Sequence, residues 1–81
     1  MSRIEKMFSK ITRSPNNTSW HDLKTLAEYY GCEVEDGAKH KKVYHPSLDR
    51  RPQTVSVHNN RVKTIYVKKI IELINDILEE E

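Results

Sequence analysis

Apolar residues recur at two different periods along this 81-residue chain, and the change of period separates helices from strands. Ile4, Met7, Phe8 and Ile11 stand at i, i+3, i+4 and i+7, the stripe of a short helix over residues 3–13. Ser14-Pro15-Asn16-Asn17-Thr18 ends it, because proline and paired asparagines favour turns. Ser19-Trp20-His21-Asp22 reads as a capping box, the Ser19 hydroxyl accepting the amide of residue 22 and the Asp22 carboxylate reaching back. Leu23, Leu26, Ala27 and Tyr30 continue the helical stripe up to Gly31, a C-terminal cap.

From Cys32 the period becomes two. Cys32 and Val34 alternate with Glu33 and Glu35, Asp36-Gly37 signals a hairpin, and residues 39–45 and 53–58 predict a second and a third strand. Pro46 and Pro52 bound the connection between them, and Asn59-Asn60 turns the chain again. Val67, Ile70, Ile71, Ile74, Ile77 and Leu78 then form the cleanest stripe, a helix over about 65–79. The order α-α-β-β-β-α predicts one α+β domain over residues 1–81, a three-stranded antiparallel sheet with helices as its second layer.

Alternation also assigns faces. With Val43 inward, Lys41 and His45 share its side while His40, Lys42 and Tyr44 face away; with Val55 and Val57 inward, Thr54, Ser56 and His58 face away. A connection symmetric about Asp49 sets Lys42 opposite Ser56 and His40 opposite His58. Two facing imidazoles can divide acid and base roles at one phosphodiester.

Charge sharpens this reading. The net charge is only +2, but residues 37–69 carry nine Lys/Arg against Asp49 alone, a net of +8, whereas residues 70–81 carry −5. A basic block with acidic flanks fits a phosphate backbone, and a titratable His40 among Lys39, Lys41 and Lys42 suggests RNA chemistry. Arg50, Arg51, Arg61 and Lys63 are further candidates for phosphate contacts. The same pattern also suits a solvated hairpin that keeps a small domain soluble.

Other chemistries find less support. The chain has a single cysteine, so a disulfide framework is excluded. Cys32 with His40, His45 and His58 lacks zinc-ligand spacing, and neither a phosphate-cradling glycine loop nor a nucleophile elbow is present. His21 reads as a surface residue and His45 as a strand end. No metal and no cofactor is expected. The residues from Met1 to Lys6 lack the apolar run of a signal peptide, and no stretch is long enough to span a membrane, so a cytoplasmic protein is expected.

From Leu23 to Ile77 the chain resembles the HicA family of small RNA-cleaving toxins. The resemblance rests on Tyr30-Gly31-Cys32, Gly37-Ala38-Lys39-His40, Val43-Tyr44-His45-Pro46, Val55-Ser56-Val57-His58 and Tyr66 to Ile74, in that order. Lys39 stands where the family has serine, with one extra residue after Gly37, and Ser56 stands where it has proline. The resemblance implies a double-stranded-RNA-binding-domain-like (dsRBD-like) fold and an mRNA interferase with His40 as catalytic residue. It further implies mRNA as substrate and neutralisation by a HicB-type antitoxin. A non-catalytic RNA-binding module of the same fold is the alternative, and an interaction protein that docks through its last helix is a third class.

Overall fold

Each of the first two helices begins where a serine hydroxyl satisfies a free amide. In the computed structural model, which describes residues 2–38, 40–48 and 51–80, with Glu80 as backbone, Ser2 accepts from the Glu5 N–H at 3.1 Å and opens α1 (Arg3–Arg13). Ser19 accepts from the Asp22 N–H at 3.2 Å and opens α2 (Trp20–Tyr29). Only this half of the capping box forms; the Asp22 carboxylate makes no return bond to Ser19 among the described residues. A 3-10 turn, Pro15–Asn17, joins the two helices.

Four strands follow, β1 (Glu33–Asp36), β2 (His40–Tyr44), β3 (Gln53–His58) and β4 (Arg61–Val62), and α3 (Thr64–Glu80) ends the chain's order of elements. The strands form one antiparallel meander in the order β1-β2-β3-β4. The three-stranded sheet expected from the sequence is therefore corrected to four. Asn59 and Asn60 both adopt positive φ, 51° and 61°, closing a two-residue hairpin that returns Arg61 onto His58 and Val62 onto Val57. A two-residue strand is too short to leave an alternation pattern.

The helices cover one face of the sheet. Val43, Val55 and Val62 are buried from three successive strands against Leu23, Leu26 and Ala27 of α2 and Val67, Ile70 and Ile74 of α3, with Ile11 of α1 in the same core. Each of these Val, Leu and Ile side chains taken out of water contributes about 1.5–3 kcal/mol before entropy is counted. Among the described residues, no helix is long and apolar enough to cross a membrane.

The register between β2 and β3 differs from expectation by two residues: His40 faces Ser56 and Lys42 faces Thr54. The reason lies just after β2. The chain turns at once, Leu48 N–H donating to the His45 carbonyl at 3.0 Å and Ser47 N–H to His45 Nδ1 at 3.1 Å. Leu48 packs against the core, and the connection is centred on it rather than on Asp49. The other His45 ring nitrogen lies against Gly31, whose φ of +90° favours glycine and where an added Cβ would come to 3.1 Å of that nitrogen. A slip of two residues preserves the faces.

Candidate functional site

The sheet face turned away from the helices carries His40, Lys42 and Tyr44 from β2, Thr54, Ser56 and His58 from β3, and Arg61 from β4. Glu33 and Glu35 of β1 stand opposite Tyr44 and Lys42 on the same side. Charge thus runs across the face, acidic at the β1 edge and basic at β4. A polyanion is drawn to the β3–β4 side.

There His40, Ser56, His58, Arg61 and Lys63 line one cleft of about 390 Å³, with Val57 completing it. His40 and Ser56 are direct cross-strand partners, and His58 and Arg61 are the next such pair toward the β4 edge. His40 and His58 are therefore diagonal neighbours, about 7–8 Å apart and within reach of ring side chains. That spacing leaves room for a tetrahedral phosphate between the imidazoles, with the Ser56 hydroxyl on the same face. His40 and His58 are exposed, so a ligand reaches them without any opening motion.

A second cavity of about 460 Å³, beside the β3–β4 turn, shares His58, Arg61 and Lys63 with the cleft. Its lining also includes Asn16, Asn17, Thr18 and Asp22 around the start of α2, and Asn59 and Asn60 of the turn. Two bonds fasten this junction: Trp20 N–H donates to the Asn60 carbonyl at 2.9 Å, and His21 N–H to Asn60 Oδ1 at 3.2 Å. The Thr18 hydroxyl is buried and has no hydrogen-bond partner among the described residues.

Lys41 lies elsewhere. Alternation puts it on the helix side, where its ammonium pairs with Asp36 at 2.5 Å and donates to the Gly37 carbonyl, while Lys24 of α2 meets the other Asp36 oxygen at 3.1 Å. Hydrogen bonds from Lys41 and then Lys24 hold the Asp36 carboxyl below its ordinary value. Lys41 is thereby committed to the hairpin rather than to the open face. Cys32 is buried in the core, and desolvation pushes its thiol up to about 11, which keeps it protonated and unreactive near neutral pH.

Of the residues singled out in the sequence, the structure thus brings His40, His58, Arg61 and Lys63 together, with Lys42 farther along the same face. Arg51 is exposed ahead of β3 and lines none of these cavities. His45 is engaged with Ser47 and Gly31, and His21 is exposed beside the Asn60 cap. Lys39 and Arg50 lie outside the described residues. Sequence reasoning alone does not single out Ser56 or the wall that includes Thr18, Asp22 and Asn60. Ser56 follows from alternation once the register is known, whereas the wall depends on a contact between segments about forty residues apart in the chain, His21 to Asn60. No family model, curated protein or solved structure matches this chain.

Proposed function

We propose that this protein is a small endoribonuclease of the HicA type, an mRNA interferase with a double-stranded-RNA-binding-domain-like fold, working at the open sheet face without a metal. The observation that carries the reading is the meeting of two exposed imidazoles with two cationic side chains in one cleft, His40 and His58 with Arg61 and Lys63. In the reaction, the ribose 2′-oxygen attacks the adjacent phosphorus while one imidazole takes its proton. The bond to the 5′-oxygen breaks, and the other imidazole supplies the proton that the leaving oxygen needs. The products are a 2′,3′-cyclic phosphate and a free 5′-hydroxyl. Arg61 and Lys63 offset the charge that builds on the phosphoryl oxygens, and Lys42 holds a neighbouring phosphate without reading sequence.

A HicB-type antitoxin would silence such an enzyme by laying an acidic surface over the same face, the arrangement that its charge gradient favours. The reaction is tested with an RNA oligomer and a copy carrying a single 2′-deoxy sugar at the cut position. Cleavage of the first to a cyclic phosphate, and none at that position in the second, is expected. Equal cutting of both would rule out attack by the 2′-hydroxyl. RNA binding with no cleavage would make the chain a non-catalytic RNA-binding module on the same face.

A further inference from the structure

We infer that the second cavity, between the start of α2 and the β3–β4 turn, is a guanine-reading pocket for the nucleotide next to the phosphate held in the His40–His58 cleft. The inference rests on the RNA reading above and adds to it the base that the site selects. The two cavities share His58, Arg61 and Lys63 in their linings, so a strand whose phosphate lies in the first has an adjoining nucleotide within reach of the second. At about 460 Å³ the second cavity has room for a purine with its sugar.

Its chemistry is selective because its backbone donors are spent. The first amides of α2 are occupied, Trp20 and His21 N–H by Asn60, Asp22 and Leu23 N–H by Ser19. The helix start therefore offers an anion nothing. What remains free among the described residues is the Asp22 carboxylate, the orphaned Thr18 hydroxyl and the side-chain amides of Asn16, Asn17 and Asn59. A carboxylate in a cleft rimmed by Arg61 and Lys63 repels phosphate, yet it suits a base edge with donors. Guanine alone among the four RNA bases presents two adjacent donors on its Watson–Crick edge, N1–H and the 2-amino group, which match the two oxygens of one carboxylate. Its Hoogsteen edge carries the O6 and N7 acceptors, which suit Arg61 or Lys63 in the same lining. Uracil offers one donor there, and adenine and cytosine place an acceptor beside theirs.

The test uses full-length protein and 2′-O-methyl oligouridylates, which cannot undergo 2′-hydroxyl attack, each carrying one central guanine, inosine or adenine. Fluorescence anisotropy should show roughly tenfold tighter binding of the guanine oligomer than of the other two. Asp22→Asn should abolish that preference without weakening the binding of plain oligouridylate. Equal affinity for all three, or a guanine preference that survives Asp22→Asn, overturns the inference. Inosine lacks only the 2-amino group, so the wild-type comparison decides the matter even where Asp22→Asn does not fold. A chain that prefers guanine but cuts no ribose oligomer overturns the nuclease and upholds the pocket. One that cuts without preference does the reverse, and one that binds no RNA overturns both.

Discussion

His40 stands directly opposite Ser56, and His58 lies two residues farther along the same strand on the same face. The diagonal sets the two imidazoles on either side of a hydroxyl rather than ring against ring. For the proposed reaction, His58→Ala should slow cleavage by about 10²–10⁴-fold, the usual worth of a positioned acid or base. Ser56→Ala, which removes a neighbour and not a proton carrier, should cost less than about tenfold on the same scale. Single-turnover cleavage rates check both, and a Ser56→Ala loss as deep as that of His58→Ala would contradict this division of roles.

Electrostatics separates the cations by face. Arg61 and Lys63 line the cleft, whereas Lys41 is tied to Asp36 on the helix side. If each of the first two contacts one phosphate of a single strand, replacing either by Gln should reduce the salt slope of log K by about 0.7. Lys41→Gln should leave that slope unchanged. Binding titrations across a salt series measure it, and a slope that responds to Lys41 instead would place RNA on the other face.

Acid should loosen the β1–β2 hairpin. Folding lowers the Asp36 carboxyl through its bonds with Lys41 and Lys24, so the folded state favours the ionised form. The pairing is fully present above the unfolded value of about 3.9 and is lost as pH falls through the lower folded value. Asp36→Asn should thus lower the melting temperature at about pH 7 and change it little below about pH 2. Thermal melts at the two pH values make the comparison.

Asn60 joins the β3–β4 turn to the start of α2 while holding a positive φ of 61°. Asn60→Ala loses the side-chain bond to the His21 amide and keeps the unfavourable backbone, and should destabilise the chain by about 1–2 kcal/mol. Asn59→Gly, at a φ of 51° with no such bond, should be neutral or mildly stabilising. Urea denaturation of the two variants reads the difference.

The helices were legible because their signals are local. The Ile4–Ile11 stripe with Ser14-Pro15 behind it places α1 at 3–13, and the Val67–Leu78 stripe places α3 to within a residue at each end. The β2–β3 register was not legible because a tertiary contact sets it: Leu48 docks on the core and His45 on Gly31, which moves the centre of the connection off Asp49. The shared face of His40 and His58 survived that shift, since alternation is unchanged by two residues. A charge sum over residues 37–69 has no knowledge of the side on which each lysine emerges; alternation does, and the Lys41 ammonium meets Asp36 on the helix side. The cavity beside Asp22 left no sequence signal at all, being made by Asn60 reaching over to His21.

The most direct measurement is cleavage of a single-stranded RNA by purified wild type and by His40→Ala, with binding of the same RNA followed in parallel. His40 is exposed at the start of β2 and supports no part of the core, so the substitution should leave the fold and the RNA affinity near those of wild type. The expected result is rapid cleavage by wild type and a loss of about 10²-fold or more in His40→Ala, with binding retained. Equal cleavage by the two proteins would contradict a role for His40 in the chemistry, and with it the central claim that the open sheet face is the active site.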